Sequence, residues 1–174
     1  RHMAEISIIV PVHNESENIK PFLQRTEAIL HKMKKTYEII FALDPSSDNS
    51  EKIILDEIKR NKNIKLLVFS RRFGQPAATI AGILNCTSYY CVIIDVDLQD
   101  PPEMIQELYN KIILGYEVVY AKRKTRKGEN FFKRAISSFG YFLINKLSDI
   151  HIPRDAGDYR IISRKVIDHL KKLN

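Results

Sequence analysis

Two aspartates that follow a short apolar run have the type and spacing of a metal or phosphate site. The run 91–94 is rich in β-branched residues, which is typical of a strand buried on both faces of a parallel sheet. Asp95 and Asp97 follow it closely, and open α/β sheets bind ligands at the carboxyl ends of their strands. Carboxylates are hard oxygen donors that suit Mg2+ or Mn2+, and these ions often bridge to substrate phosphates. An Asp-x-Asp sequence is also common in turns, so a turn without a ligand is the alternative interpretation.

The rest of the chain alternates apolar runs with amphipathic segments. Strand character is found in 6–12, 37–43, 64–69, 91–94 and 117–121. Helical character is found in 16–34, in a segment after the turn 44–50, from Pro76 onward and in 103–114. This order predicts an α/β fold with a Rossmann-like, mostly parallel sheet and helices on both faces.

Three details of the helices are also predicted. Ser16 or Asn18 is a candidate cap of the first helix, because both side chains can accept a backbone N–H. Ile53, Ile54, Leu55 and Ile58 are expected to be buried in the second helix. The helix that begins at Pro76 is rich in alanine and glycine, so we expect it to lie close to the sheet.

Polar residues follow every predicted strand. They are His13, Asn14 and Glu15; Asp44 and Asp48; Arg71 and Arg72; Asp95 and Asp97; and Lys122 and Arg123. Because parallel strands end at one side of a sheet, we expect these loops to converge. A dinucleotide fold of the dehydrogenase type requires Gly-x-Gly-x-x-Gly after its first strand, but residues 12–16 contain no glycine. A nucleotide held through a metal on an acidic loop therefore fits better than one held in a glycine-rich cradle.

Length and composition indicate one globular domain. The chain has 174 residues, of which 44% are hydrophobic and 28% charged. Residues 1–3 are typical of a cloning remnant, so we take 4–174 as a single domain. Cys86 and Cys91 lie in or beside apolar segments and are expected to be buried free thiols. No run of 18 apolar residues is present.

The net charge of +7 is concentrated in one segment. Residues 122–134 contain seven basic residues and one acid, Glu129. Such a patch suits phosphate, an anionic membrane surface or nucleic acid, and a solvated loop is the alternative. The segment 131–150 is rich in aromatic and aliphatic residues at helical spacing, which predicts either a core-packed helix or an interfacial helix on an anionic membrane. That spacing argues against a nucleic-acid groove.

Six motifs, which run in order along nearly the whole chain, resemble those of family 2 glycosyltransferases with the GT-A fold. They are VPVHNE (10–15), DPSSD (44–48), SRRFGQ (70–75), DVDLQDPPE (95–103), GYEVVYAKR (115–123) and PRDAGDYR (153–160). The set is similar to the polyprenyl-phosphate glycosyltransferases, the group of bactoprenol glucosyltransferase and dolichyl-phosphate mannose synthase. The chain departs from the family pattern at Leu43 and Pro45, which replace an acid and a glycine, and at His13 and Arg72.

The resemblance implies a role for individual residues. The residues implied to line the nucleotide site are Pro11, His13, Glu15, Asp44 and Asp95. The implied ligands of Mg2+ or Mn2+ are Asp95, Asp97 and Gln99. The implied phosphate-binding residues are Arg123, Arg134 and Arg160. The implied catalytic residues, which would face the sugar and include the candidate base, are Asp155 and Asp158. From the residues alone, 155–158 is better interpreted as a turn with two caps.

The activity implied by the resemblance is an inverting transfer of sugar from a nucleoside diphosphate sugar, by likeness a UDP-sugar, to a polyprenyl phosphate. We then expect a catalytic domain at the cytoplasmic face of the membrane, cut before C-terminal membrane helices, and no nucleic-acid partner. Whether the protein forms a homo-oligomer, and which sugar and which lipid it uses, stay open. The alternatives are transfer to a saccharide hydroxyl, which needs a general base, and a non-catalytic nucleotide-sugar-binding module.

Overall fold

A seven-stranded sheet forms the centre of the fold. The computed structural model describes residues 3–122, 133–136 and 156–173. Within them the strands are β1 (Ile6–Val12), β2 (Tyr37–Leu43), β3 (Ile64–Val68), β4 (Tyr90–Ile93), β5 (Val118–Lys122), β6 (Lys133–Ile136) and β7 (Ala156–Ser163). Their order across the sheet is β3-β2-β1-β4-β7-β5-β6.

Strands β1 to β5 all run in the same direction. β1 pairs in parallel with β2 and β4, and β2 pairs in parallel with β3. β7 is antiparallel to both β4 and β5, and β6 is antiparallel to β5. The prediction of a mostly parallel sheet is therefore confirmed, and β1 to β5 end at one end of the sheet, which we call the site end.

Helices cover both faces of the sheet, as predicted. They are α1 (Ser16–Met33), α2 (Ser50–Arg60), α3 (Gln75–Leu84), α4 (Ile105–Ile112) and α5 (Arg164–Lys172), with a 3-10 turn at Pro102–Met104. Apolar residues of α1, α2 and α4 form one buried layer with one face of the sheet. Those of α3 and α5 form a second layer with the other face. Among the described residues, no helix is long and apolar enough to cross a membrane.

Helix α3 lies close against β1. A Cβ atom added to Gly82 would come 2.3 Å from Ile9 Cγ2, a distance that real Cβ atoms do not reach. The absence of a side chain at Gly82 therefore sets the distance between helix and sheet. The expected close approach of this small-residue helix is confirmed.

Several sequence-based predictions were wrong. Leu55 is 45% exposed, because α2 turns Ile54 rather than its neighbour toward the core. Residues 133–136 form strand β6, so a helix over 131–150 is wrong for these four residues, and the remainder lies outside the described residues. Residues 156–158 begin strand β7, so a turn is wrong there. Both strands depend on antiparallel pairing with distant segments, which local periodicity does not reveal. Cys86 and Cys91 are buried free thiols, as predicted.

Candidate active site

A cleft of about 260 Å³ lies at the site end of the sheet. Its lining comes from the ends of β1, β2 and β4 and from the loop between β3 and α3. The lining residues are Pro11, Val12, His13, Glu15, Asp44, Arg72, Gly74, Gln75, Ala78, Asp95, Val96 and Asp97. The structure thus brings together six of the residues selected from the sequence, namely Pro11, His13, Glu15, Asp44, Asp95 and Asp97.

The loops after β1 and β2 hold each other in place. Asn14, at a left-handed φ of 51°, donates its backbone N–H to Ser46 Oγ at 3.0 Å, and its side-chain oxygen accepts from Ser47 N at 2.8 Å. Ser16 N, the first amide of α1, donates to Asp48 Oδ2 at 3.0 Å. The prediction that Ser16 or Asn18 caps α1 was therefore wrong, because Asp48 from the neighbouring loop accepts the first backbone N–H of the helix. These hydrogen bonds between the two loops fix the loop after β1, which forms part of the cleft lining.

Hydrogen bonds also set the ionisation of Asp48. Burial acts to raise the pKa of this carboxyl group, but hydrogen bonds from Ser50 and Ser16 outweigh it and lower the pKa to about 2. The carboxylate is thus strongly favoured in its charged form where two loops meet.

Asp44 anchors the loop between β3 and α3. The side chain is 3% exposed and accepts backbone N–H groups from Phe73 at 3.3 Å and from Gly74 at 2.9 Å, one on each oxygen. Gly74 has a φ of +88°, a conformation that favours glycine. Asp44 therefore shapes the cleft by holding this loop, and its predicted contact with a nucleotide stays a prediction.

Two cleft residues from that loop were missing from the predicted site. Arg72 brings a cation to a lining that is otherwise rich in acids. Gln75, the first residue of α3, donates from Nε2 to Asp95 Oδ1 at 2.5 Å. The available signal was positional, because both residues belong to the segment that leads into a helix with a proline in its first turn.

The loop that carries Asp97 has an uncommon backbone. Leu98 has a φ of +62°, which costs a residue with a side chain about 1–2 kcal/mol. Asp97 Oδ1 accepts the backbone N–H of Gln99 at 3.1 Å across this bend. Gln99 itself is exposed and is not among the lining residues, so its predicted metal contact stays a prediction. Strained backbone of this kind is concentrated at functional sites.

The far end of the acidic loop is clamped to two other elements. Arg25 on α1 donates to both carboxylate oxygens of Glu103, at 2.8 and 2.6 Å. The buried Tyr159 of β7 donates its hydroxyl to the Pro101 carbonyl at 2.9 Å. Hydrogen bonding from Arg25 lowers the pKa of Glu103. The acidic loop is therefore held at both ends, by the sheet at one and by these contacts at the other.

The remaining predicted residues lie on or near β7 and β5. Arg160 pairs in register with Ile93 of β4 and Tyr120 of β5, and it is not among the lining residues. Asp158 is two positions closer to the site end, because β7 runs against β4. Asp155 and Arg123 lie outside the described residues, as do the side chains of Asp158 and Arg134. These four assignments stay predictions.

The donor set in the cleft fits a divalent ion that is shared with a substrate. No group of three or more His, Cys, Asp or Glu that could hold a metal occurs within residues 3–122, 133–136 and 156–173. Mg2+ is usually held by one or two carboxylates together with water and substrate phosphates, rather than in a protein cage. Asp95 and Asp97 line the cleft and are half-buried, which matches that arrangement.

One further atom indicates a ligand site. His13 Nδ1 is buried and has no hydrogen-bond partner in the described part of the chain. Buried polar atoms are normally satisfied, so an unpaired one at a cleft suggests a polar group that binds there.

The sheet order and the acid-lined cleft at the strand ends define a GT-A type α/β domain, and comparison with known proteins supplies the family. A family model described as Glycosyl transferase family 2 matches residues 7–171, and the chain belongs to this family. It is 43% identical over 173 residues to a Bacillus subtilis protein named Uncharacterized glycosyltransferase YkcC, covering 99% of this chain and 53% of that protein. It is 37% identical over 169 residues to the bactoprenol glucosyl transferase of Shigella phage SfX, covering 97% and 55%.

The chain therefore spans about half the length of these curated relatives. Among solved structures, a mannosyltransferase of Pyrobaculum calidifontis in complex with GDP-Man and Mn2+ superposes with a TM-score of 0.70. The superposition covers 97% of this chain and 47% of that one, at 15% sequence identity. At this identity the likeness supports the GT-A fold alone, which agrees with the fold class predicted from the sequence.

Proposed function

We propose that the chain is the catalytic part of an inverting glycosyltransferase that moves a sugar from a nucleoside diphosphate sugar, a UDP-sugar by preference, to a polyprenyl phosphate. The observation that carries the proposal is the cleft, in which Asp95 and Asp97 lie beside a polar pocket formed by the first two loops. The relatives named bactoprenol glucosyl transferase support the lipid acceptor, since the likeness extends over 97% of the chain.

The two sides of the cleft suit the two parts of such a donor. Pro11, His13 and Glu15 form the side that would take the base and ribose, where His13 Nδ1 lacks a partner among the described residues. Asp95 and Asp97 form the side that would take the diphosphate.

Charge in the cleft supports a requirement for metal. The lining contains the carboxylates of Glu15, Asp44, Asp95 and Asp97, against the guanidinium of Arg72. Such a lining repels a diphosphate, so added positive charge strengthens its binding. Mg2+ or Mn2+ held by Asp95 and Asp97, with Gln99 as a further candidate, would supply this charge and stabilise the leaving diphosphate as a Lewis acid. The Mn2+ in the mannosyltransferase complex is consistent with this choice of ion.

The acceptor needs little help from a base. A lipid monophosphate has a second pKa of about 6 and is largely ionised at neutral pH. Its oxygen attacks the anomeric carbon from the face opposite the diphosphate, which inverts the configuration. In this proposal Asp155 and Asp158 orient the sugar hydroxyls, and either can serve as the base for an acceptor that must lose a proton.

The basic residues serve the phosphates and the membrane surface. Arg123, Arg134 and Arg160 are the proposed phosphate-binding residues, and Arg72 joins them because it lines the cleft. The basic segment 122–134 would meet the anionic surface where the lipid acceptor lies. Since nucleotide sugars are cytoplasmic, the proposed location is the cytoplasmic face of the membrane.

Calorimetric titration with UDP and with GDP, with and without Mn2+, tests the donor site. We expect one nucleotide to bind more tightly with Mn2+ than without it, and we expect Asp97→Ala to weaken the Mn2+-dependent binding about 100-fold. A folded protein that binds neither nucleotide would contradict the proposal. Transfer from the selected donor to a polyprenyl phosphate, compared with a saccharide acceptor, then tests the acceptor class.

A further inference from the structure

Gln75 connects two loops of the cleft through a single hydrogen bond. Its side-chain nitrogen lies 2.5 Å from Asp95 Oδ1. An ionised carboxylate can only accept hydrogen bonds, so the amide nitrogen rather than the amide oxygen must face it. The bond joins the first residue of α3 to the first acid of the Asp-x-Asp pair.

The position of Gln75 is fixed by its surroundings. The preceding residue, Gly74, is held by the buried Asp44 through its backbone N–H. The Gln75 carbonyl accepts from Thr79 Oγ1 at 2.9 Å, inside α3. The helix itself is seated on β1 at Gly82, where no side chain fits. The backbone of Gln75 is therefore a rigid base from which a flexible side chain reaches Asp95.

We propose that Gln75 is a positioning residue, which holds the Asp95 carboxylate in the orientation in which it would help to bind a divalent ion and the donor diphosphate. The inference rests on the proposed function. A carboxylate with one oxygen bound to an amide N–H loses rotational freedom before the ion arrives, and this lowers the entropy cost of coordination. Because the amide is neutral, it orients the carboxylate without adding a cation that would compete with the metal.

Different elements of the fold orient the carboxylates of Asp95 and Asp97. Asp97 is oriented from its own loop, through the backbone N–H of Gln99. Asp95 is oriented from another element, through Gln75. A change on α3 should therefore alter metal binding although α3 supplies no carboxylate to the pair.

The experiment measures Mn2+ affinity through the paramagnetic resonance signal of the free ion, in the presence of saturating UDP. Gln75→Met keeps the side-chain length and removes the donor, and Gln75→Asn keeps the amide but shortens the reach. Gln24→Met is the matched control, because Gln24 is an exposed glutamine on α1. UDP binding in EDTA and the thermal unfolding midpoint are recorded for each protein.

We expect Gln75→Met to weaken Mn2+ affinity about 10- to 100-fold, as is typical for removal of a group that orients a metal ligand. Gln75→Asn should show a loss of similar direction, while Gln24→Met should match the wild type. UDP binding in EDTA and the unfolding midpoint should not change.

Equal Mn2+ affinity in Gln75→Met and wild type would overturn the inference alone. The inference also fails if Gln75→Met weakens UDP binding in EDTA to the same extent, since the residue would then only support the pocket. A wild-type protein that binds neither UDP nor GDP with Mn2+ would overturn the proposed function and the inference together, so the two failures are distinguishable.

Discussion

Both ends of the sheet carry carboxylates, but the surroundings of these carboxylates differ between the two ends. At the site end, Asp95 and Asp97 line an open cleft and are half-buried. At the opposite end, where β1, β2 and β4 begin, Glu38 is 4% exposed and surrounded by donors. Asp95 and Asp97 line the cleft, whereas both oxygens of Glu38 already have hydrogen-bond partners within the fold.

Glu38 is a saturated carboxylate, by which we mean that both of its oxygens have hydrogen-bond partners within the fold. Oε1 accepts from Ser7 Oγ at 2.5 Å and from Thr87 N at 3.1 Å, and Oε2 pairs with Lys65. Burial acts to raise the pKa of Glu38, but hydrogen bonds from Lys65 and Ser7 outweigh it and lower the pKa. These donors come from β1, β3 and the segment before β4, so Glu38 ties together the beginnings of neighbouring strands.

The difference separates structural from functional acids without reference to any relative. A buried carboxylate whose oxygens are all paired contributes to folding, because its desolvation is offset only while the partners remain. Asp97 is half-buried and accepts one backbone N–H, that of Gln99, so we expect it to contribute less to folding. Substitutions at the two ends should therefore affect different measurements.

Removal of the saturated carboxylate should have the largest effect. Glu38→Ala removes the carboxylate that accepts from the hydroxyl groups of Ser7 and Ser88 and from the amide of Thr87. We expect the free energy of unfolding to fall by about 2–4 kcal/mol, measured by urea unfolding. Glu51→Ala, at an exposed glutamate on α2, is the control and should cost about 0.5 kcal/mol. A loss in Glu38→Ala no larger than in the control would remove the distinction between the two ends.

The matching change at the site end should act on binding. Asp97→Ala should weaken Mn2+-dependent UDP binding about 100-fold, equivalent to about 2.8 kcal/mol. Its free energy of unfolding should fall by less than about 1 kcal/mol, because the bond to Gln99 N that the substitution removes contributes little to the fold. Asp56→Ala, on the exposed face of α2, should change neither quantity by a comparable amount. Strong destabilisation by Asp97→Ala would show that this acid is structural as well.

Helix α3 runs between the two ends, and one substitution should disturb both. Gly82→Ala places a Cβ against Ile9 Cγ2, so the helix must move away from β1. We expect a loss of about 1–3 kcal/mol in unfolding free energy, together with weaker Mn2+-dependent UDP binding through the displaced Gln75. Adding Ile9→Ala removes the clashing methyl group, so the two changes together should cost less than their sum. Additive losses would mean that the clash is not the cause.

Sequence patterns predicted the site end better than the opposite end, for a physical reason. Strands β1 and β2 were assigned with the correct bounds because a run of mostly apolar, β-branched residues is a local signal. The convergence of Asp44, Asp95 and Asp97 followed from parallel strand direction alone. Glu38 lies inside one of those apolar runs, and nothing local indicates that Ser7, Lys65 and Thr87 will meet it.

The parts of the site that sequence reasoning missed are all long-range pairings. The bond from Gln75 to Asp95 spans 20 positions, and those from Phe73 and Gly74 to Asp44 span 29 and 30. Strand β7 inserts between β4 and β5, although it follows both in the chain. Periodicity and motif spacing describe what a residue's neighbours in sequence do, so partners at such separations become visible only in the folded chain.

The smallest predicted effect concerns Asp48, which joins the loops after β1 and β2. Its pKa is lowered to about 2 in the folded protein, against 3.8 ordinarily. A carboxyl group whose pKa is lower in the folded than in the unfolded protein stabilises the fold at pH values above its unfolded-state pKa. This stabilisation is lost as the pH falls from about 4 through about 2. Asp48 is exposed, so solvent screening limits the contribution to less than about 1 kcal/mol.

Asp48→Asn therefore should lower the free energy of unfolding slightly at about pH 7, with a difference from wild type that shrinks toward zero near pH 2. Urea unfolding of both proteins across this range measures the difference directly. Glu38 also has a lowered pKa and destabilises both proteins in acid, but its effect cancels in the comparison. A difference that stays constant with pH would mean that the Asp48 charge does not hold the two loops together. In that case the neutral contacts of Asn14 with Ser46 and Ser47 would hold the two loops together, and the site end would need no ionised acid outside the cleft.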